Sequence, residues 1–172
     1  MNDACSMKGL LEYLKYISRS TNAHGVHSPF VYDLVTRGLY LKEEKQEHPV
    51  IGHIPQIKTL PEKYVKAINN TLHHFFGSRK PQLILLPCSD HQPIENPGMV
   101  FVNGLDPHRT AVDELLKYLD NDTLLMVVKA GSDPFWEALS KSHELHLTID
   151  CFRVGFAFKR KEQAKENFTI RL

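Results

Sequence analysis

Two short apolar runs, residues 99–103 and 123–128, are continuous and rich in β-branched side chains. This pattern is typical of strands that are buried on both faces of a sheet. Between the two runs, Val112, Leu115 and Leu119 recur at helical spacing, and charged residues occupy the opposite side. A strand, a helix and a second strand in this order form a βαβ unit, which predicts a parallel sheet and an α/β fold.

The same patterns predict further elements on both sides of this unit. Apolar stripes at helical spacing predict four more helices, over residues 7–17, 29–41, 61–76 and 132–141. Apolar runs predict more strands over residues 82–86, 144–151 and 154–159, with 169–172 as a candidate edge strand. The link between the strands at 144–151 and 154–159 is so short that they must form an antiparallel hairpin. We interpret residues 42–59, which contain charges and prolines, as a connector.

The first predicted helix has its apolar residues on one stripe, with Lys8, Glu12 and Lys15 outside it. We expect the stripe to face the core of the protein. It consists of Leu10, Leu11, Leu14 and Ile17.

The composition is that of an ordinary single-domain globular protein. The 172 residues include 21 Lys and Arg against 20 Asp and Glu, so no charge excess favours nucleic acid or a membrane as a partner. We expect one domain, with a helical part over residues 1–78 and a sheet part over 79–172. Three widely spaced cysteines argue for reduced thiols. With no apolar run near the ~20 residues of a membrane helix and no signal-peptide pattern, we expect a cytoplasmic protein.

Several short runs resemble one protein family. Residues 24–30 read His-Gly-Val-His-Ser-Pro-Phe after an amphipathic helix, and residues 101–108 read Phe-Val-Asn-Gly-Leu-Asp-Pro-His. Runs at 147–152, 160–163 and 168–171 carry the most specific part of the likeness. With the predicted order of elements, these runs are similar to a bacterial branch of the class I methyltransferases, which bind S-adenosylmethionine. The resemblance implies a three-layer, Rossmann-like sheet. It extends over about residues 8–41 and 98–172.

The chain departs from that family where the cofactor would bind. Members have a glycine-rich turn after the first strand, because the backbone must approach the cofactor closely, but residues 86–93 contain no glycine. Two more strands follow in the family, whereas only ten residues separate Pro87 from Gly98, and a single βαβ crossover needs at least about ten to twelve. Asn103 and Lys129 stand where the resemblance implies acidic residues. We therefore predict about five main strands, with family strands two and three missing, and no bound cofactor.

Two histidines flank a turn near the N-terminus. His24 and His27 lack a nearby carboxylate or third ligand, so we expect no metal site and favour hydrogen bonds to local backbone. Because the pair lies in a run that resembles the family, a place in the family's substrate entrance stays open.

The other candidate pocket residues follow predicted strands, where α/β sheets place their ligands. Cys88, Ser89 and Asp90, with His91, contain the atom types of nucleophilic catalysis, but a catalytic triad is spatial and adjacency does not establish it. We favour a proline-rich loop there. A structural role in the turn is likewise favoured for Asp106 and His108. Asn103 and Lys129, which stand where the resemblance implies acidic residues, are the remaining pocket candidates.

Three functions are compatible with these observations. The first, which we expect, is a pseudoenzyme that has lost cofactor binding and serves as a binding or structural module. The second is a working methyltransferase with a rebuilt S-adenosylmethionine site. The third is a small anion-binding module at Lys129, helped by predicted helix N-termini. If the family order survives without strands two and three, strand one becomes an edge, which predicts cover by the N-terminal helices or a homodimer. No small-molecule or protein partner can be read from the sequence.

Overall fold

The computed structural model describes residues 3–87, 97–106, 110–129 and 131–172, with side chains from residue 7 onward. The chain divides into two compact units. The sheet unit contains Met1–Ser20 and Leu83–Arg171, and the helical unit contains Thr21–Gln82 with Leu172. The first helix therefore belongs to the sheet unit. Within the described ranges, no helix has both the length and the apolar character that crossing a bilayer requires.

The sheet unit is built on a mixed, open sheet of six strands, which confirms the α/β class. The strands are β1 (Leu83–Leu86), β2 (Met99–Asn103), β3 (Leu124–Val128), β4 (Leu147–Asp150), β5 (Val154–Phe158) and β6 (Glu166–Thr169). Their order in the sheet is β1-β2-β3-β5-β4-β6. The first three strands are parallel, β5 is antiparallel to both β3 and β4, and β6 is parallel to β4. The predicted βαβ unit and the antiparallel hairpin are both confirmed.

Continuous burial explains the apolar runs of the central strands. All of β3 is buried, and β2 is buried up to its last residue, so neither strand shows polar alternation. Two helices, α5 (Val112–Leu116) and α6 (Pro134–Lys141), pack on one face of the sheet. The core of that face includes Val100, Val102, Leu115, Leu116, Leu125, Val127, Phe135 and Trp136.

The two edge strands of the sheet are β1 and β6. Strand β1 is an edge, as the sequence predicts, because it pairs only with β2 among the described residues. Strand β6 forms the other edge three residues earlier than predicted. Its ends are set by the backbone hydrogen bonds from Glu166 N to His146 O and from Ile170 N to Asp150 O.

Helix α1 (Asp3–Arg19) exists, but it shows the sheet a different face from the predicted one. Leu10, Leu11 and Leu14 are 57 %, 55 % and 53 % exposed, so their predicted burial is wrong. Tyr13 and Tyr16 are packed instead, because an aromatic ring buries more apolar area than leucine and its hydroxyl can bond at the rim of the core.

The helical unit contains α2 (Pro29–Leu34), which continues as a π-helical turn over Val35–Leu39, then α3 (Pro55–Lys58) and α4 (Glu62–Phe76). Ser28 caps α2 through a hydrogen bond from Val31 N, and Gly77, with φ +62°, follows the last residue of α4. Both boundaries match the prediction.

The predicted connector over 42–59 is more structured than its sequence indicates. It contains the 3₁₀ turn Ile51–His53 and the helix α3, and its apolar side chains are buried. Among the prolines and charges, apolar residues recur at a spacing of about three, and their side chains pack the segment against the helical unit. The buried apolar residues are Val50, Ile51, Ile54 and Ile57.

Candidate functional site

A buried lysine lies at the carboxyl end of β3. Lys129 is 1 % exposed, and its Nζ lies 2.9 Å from Asp150 Oδ1. The same ammonium donates to the carbonyl oxygens of Gly131 at 2.8 Å and Phe152 at 2.9 Å, and it lies 5.8 Å from the centre of the Trp136 ring. An ammonium has three N–H groups, so these three acceptors account for all of its donors. We call these residues the Lys129 cluster.

The sheet topology brings the two charges together. Because β5 is antiparallel to both β3 and β4, the latter two strands run in the same direction. Lys129 follows the end of β3 and Asp150 ends β4, so both lie at the end of the sheet that the carboxyl ends of these strands form. Burying a charge without a partner is costly, which explains why the ammonium sits against a carboxylate and two carbonyl groups.

A groove of about 380 Å³ opens beside the Lys129 cluster. Helices α1 and α6 form its walls, and β4 and β6 contribute to its floor. We call it the sheet groove. It combines aromatic rings with charges of both signs, and acids outnumber bases. The charged side chains are Glu12, Arg19, Asp133, Glu137, Lys141 and Asp150, and the rings are those of Tyr16, Trp136, Phe152 and Phe168.

The missing side chain of Gly131 lets a carboxylate into this groove. Gly131 has φ +57°, and a Cβ on it would lie 2.8 Å from Glu12 Oε2 and 3.3 Å from the Phe152 ring. Glycine is suited to both the backbone conformation and the close approach. Glu12 is half-buried there. No cation of the described residues pairs with Glu12.

Aromatic contacts fix α1 against the end of the sheet. The Tyr16 hydroxyl donates to the carbonyl oxygen of Ile170. The rings of Tyr13 and Tyr16 each lie 5.1 Å from the Phe152 ring. Phe152 has φ +69°, and this turn is stabilised because Asp150 Oδ1 accepts a hydrogen bond of 2.8 Å from Phe152 N. Asp150 thus orders both the lysine and the aromatic wall.

The candidate residues Asn103, which ends β2, and Asp106 lie in a tight turn at the carboxyl end of the same strands. Asn103 Oδ1 accepts a hydrogen bond from Leu105 N at 3.3 Å, and Asp106 N donates to Asn103 O at 3.0 Å. A Cβ on Gly104 would lie 2.6 Å from Val128 O, which shows how closely this turn approaches β3. The structure therefore brings Asn103, Asp106 and Lys129 to one edge of the sheet. The contacts that Asn103 makes are those of a turn-forming residue.

The histidine pair belongs to the helical unit. His24 and His27 are exposed, and the backbone N–H of His24 donates to Asn22 Oδ1 at 3.0 Å in a 3₁₀ turn. Gly25 fits this turn because a Cβ would collide with Thr21 Oγ1 at 1.9 Å. Among the described residues, no group of three or more His, Cys, Asp or Glu side chains is arranged to hold a metal ion.

Four predicted candidates, Cys88, Ser89, Asp90 and His108, lie outside the described residues and stay predictions. Cys151 is described and buried, and burial, followed by the neighbouring charge of Asp150, raises the pKa of its thiol. A buried thiol with a raised pKa is a poor nucleophile. This cysteine therefore contributes packing rather than chemistry.

The sequence analysis missed the partners that make the sheet groove. Glu12 reads as an outward residue of an amphipathic helix, and Asp150 as the polar end of a strand. The glycine at position 131 and the polar end of β4 are the signals that could have pointed to them, but only the sheet topology shows that these residues meet.

Comparison with protein-family models, with curated proteins and with solved structures finds no match to this chain.

Proposed function

We propose that this chain is a methyltransferase-like α/β domain that no longer uses S-adenosylmethionine and acts as a binding or structural module. The edge position of β1, which among the described strands pairs only with β2, carries this proposal. The two strands are parallel neighbours with Leu86 opposite Val102. Only ten residues separate Pro87 from Gly98, too few for two more strands with their crossovers, each of which needs at least about ten to twelve.

The position of β1 explains why cofactor binding would be lost. Open α/β sheets bind ligands beyond the carboxyl ends of their strands, where the strand order reverses. In this sheet β1 is an edge, so the strands that would complete the far side of such a crevice are missing from the described sheet. The edge order and the C-terminal antiparallel hairpin support a reduced, Rossmann-like methyltransferase sheet as the origin of the fold.

Cofactor titration tests the proposal. We expect no heat of binding in isothermal titration with S-adenosylmethionine or its demethylated product, and no rise in the melting temperature at saturating cofactor. A ligand that binds the native state raises stability by about 2.7 kcal/mol at a hundred times its Kd, so even moderate binding is measurable. Micromolar binding of either compound would overturn the proposal and favour a working methyltransferase with a rebuilt site.

A second candidate function is the uptake of a small ligand with an ammonium group into the sheet groove. The half-buried carboxylate of Glu12 favours this class, since no cation of the described residues neutralises it and aromatic rings flank it. Ammonium groups bind well between carboxylates and aromatic faces. An anion at Lys129 is less favoured, because the three N–H groups of this side chain already have acceptors.

Trp136 is the only tryptophan of the chain, so its fluorescence reports on the sheet groove. We expect spermidine to change this signal, and butanoate, which carries the opposite charge, to leave it unchanged. Glu12→Gln should weaken the spermidine response about tenfold, the loss of one charge-assisted contact. The matched control is Glu114→Gln on α5, an exposed carboxylate outside the sheet groove. An equal response to butanoate, or equal weakening by the control, would contradict this function.

A further inference from the structure

Helix α1 exposes a row of apolar side chains along its outer side. Met7 is 63 % exposed, and the three leucines of the row are 57 %, 55 % and 53 % exposed. Their spacing of i, i+3, i+4 and i+7 places them on one side of the helix over two turns. Single exposed apolar residues are ordinary, whereas a contiguous apolar patch marks an interaction site. We call these residues, Met7, Leu10, Leu11 and Leu14, the α1 stripe.

The opposite side of α1 is already occupied. Tyr16 is 4 % exposed and its hydroxyl donates to the carbonyl oxygen of Ile170, while the Tyr13 ring contacts the Phe152 ring. The helix could turn the α1 stripe toward the sheet only by giving up these contacts. The α1 stripe therefore stays on the surface, where a partner can reach it.

Two lysines border the α1 stripe. Lys8 and Lys15 directly follow its first and last residues, both are exposed, and neither pairs with an acid among the described residues. The one acid among the described side chains of α1 is Glu12, which faces Gly131 in the sheet groove. Arg19 lines the same groove. Apart from these two groove residues, the described side chains of α1 carry two positive charges and no negative one.

We infer that the α1 stripe docks on a membrane surface that carries anionic lipids. An amphipathic helix binds such a surface by inserting its apolar side at the level of the headgroups, while lysines at its border reach the lipid phosphates. The whole chain has almost balanced charges, with 21 Lys and Arg against 20 Asp and Glu. The attraction is nevertheless local, because only charges within about a Debye length of the lipid surface contribute to it.

Two other occupants of the α1 stripe fit these observations less well. In a symmetric pair of stripes both copies bring the same two lysines to the interface, and the outer side of α1 offers no described acid to pair with them. A partner protein with an apolar groove receives an amphipathic helix by its apolar face. Because Tyr13 and Tyr16 fix the inner side of α1 to the sheet, only a shallow strip is free, and such a strip suits a flat surface better than a groove.

Cosedimentation of the full chain with lipid vesicles tests the inference. The probe is a phosphatidylcholine vesicle with about 30 % phosphatidylglycerol at about 0.1 M salt, and we expect at least about tenfold weaker binding to phosphatidylcholine alone. Leu10→Gln/Leu14→Gln keeps the helix propensity but removes apolar surface, and should weaken binding at least about a hundredfold. Lys8→Gln/Lys15→Gln should weaken it about tenfold.

Each double variant has a matched control outside α1. Tyr32→Gln/Leu105→Gln removes two apolar side chains that are 51 % and 54 % exposed. Lys117→Gln/Lys161→Gln removes two exposed lysines, and so makes the same change in net charge as the lysine variant of α1. Both controls should change the affinity less than about twofold, because exposed charges and side chains far from the lipid surface are screened from it.

Vesicle binding that the α1 variants and their controls weaken equally would overturn the inference, as would the absence of binding to anionic vesicles. Equal binding to the neutral vesicles would overturn the role of the lysines. A dimer that Leu10→Gln/Leu14→Gln converts to a monomer, in a protein that does not bind vesicles, would assign the α1 stripe to a second copy of the chain instead.

Discussion

Single residues decide where this chain can hold a charge. Lys129 ends a run of apolar strand residues and is 1 % exposed, yet it keeps a carboxylate and two carbonyl groups as acceptors. Its partner Asp150 retains 26 % side-chain exposure. Burial therefore costs the charged lysine more free energy than the aspartate, so we expect mutations of the two residues to lower stability by different amounts.

Replacing Asp150 and replacing Lys129 should lower the free energy of unfolding by different amounts. Asp150→Asn keeps an oxygen for Phe152 N but leaves the buried ammonium without an opposite charge. We expect a loss of about 3 kcal/mol in the free energy of unfolding. Lys129→Met leaves a carboxylate that water can still reach, and we expect about 2 kcal/mol. Urea unfolding of both variants measures the difference. A larger loss for Lys129→Met would contradict the buried-charge interpretation.

Another residue-scale prediction concerns pH. His48 in the helical unit is fully buried, and its Nδ1 accepts a hydrogen bond from Val50 N at 3.3 Å. Burial lowers the pKa of His48, and the charge of His73 lowers it further, while the backbone carbonyls of Gly77 and Arg79 oppose this shift. The unfolded chain then binds the proton more readily than the folded one.

The contribution of His48 to stability is complete above the unfolded pKa of about 6.5 and is lost as the pH falls from there through the lower folded pKa. We expect the free energy of unfolding to decrease between pH 7 and pH 5. His48→Asn, which keeps an acceptor near Val50 N, should flatten this decrease. Burial also lowers the pKa of His74, so His74→Gln is measured in parallel. A pH profile unchanged by His48→Asn would refute this assignment.

At the scale of elements, close approach between α6 and β5 shapes the core of the sheet unit. The Trp136 ring packs against the backbone of Gly155, where a Cβ would come within 2.4 Å of the indole. The strand can hold this helix so closely because it lacks a side chain at that point. Trp136 lies in the amphipathic helix predicted over residues 132–141, but only the structure shows that its packing needs a glycine in β5.

Gly155→Ala should therefore destabilise the protein by about 3 kcal/mol, at the upper end of overpacking costs, because the indole is rigid. The matched control is Gly9→Ala on α1, where no described atom apart from the neighbouring residues and the helix's own backbone lies within 4 Å of the added Cβ. This control should be stabilising by up to about 1 kcal/mol through helix propensity. Thermal or urea unfolding compares them. Equal effects of the two alanines would contradict the contact of Trp136 with Gly155.

The first helix shows how far a periodic pattern can lead. Its apolar stripe predicted the element, and the helix forms, but Leu10, Leu11 and Leu14 are exposed while Tyr13 and Tyr16 contact Phe152. Periodicity reports that a face is apolar and not which neighbour is available to cover it. The neighbour here is the turn between β4 and β5, which is remote in sequence.

At the scale of the whole molecule, the edge position of β1 bears on self-association. Among the described strands β1 pairs only with β2, so its outer side has no strand partner there, and Leu85 is 38 % exposed. Edges of this kind pair readily with a second chain unless they are charged or covered. We propose that the protein forms a homodimer through β1.

Leu85→Lys should convert such a dimer to a monomer, because a charge on an edge strand opposes edge-to-edge pairing. Leu105→Lys is the matched control, since this leucine is 54 % exposed but lies in the turn after β2. Light scattering coupled to size exclusion at about 100 μM, well above a micromolar Kd, gives the mass of each form. A wild-type monomer at this concentration would refute the proposal.

The sequence by itself determined the features that have local causes. Continuous apolar runs specify β2 and β3, Ser28 and Pro29 begin α2, and Gly77 ends α4, because strand burial, capping and backbone conformation act within a few residues. The antiparallel hairpin followed from its short link, and the edge position of β1 followed from the strand order that the family resemblance implies.

Tertiary structure alone decided which charges and faces meet. Asp150 reaches Lys129 across β5, and Glu12 reaches Gly131 from a helix far away in sequence. Such contacts depend on the order of the strands and on where α1 packs. Their energies come from burial and charge pairing between segments that are remote in sequence. For this reason the sheet groove became visible only in the folded chain.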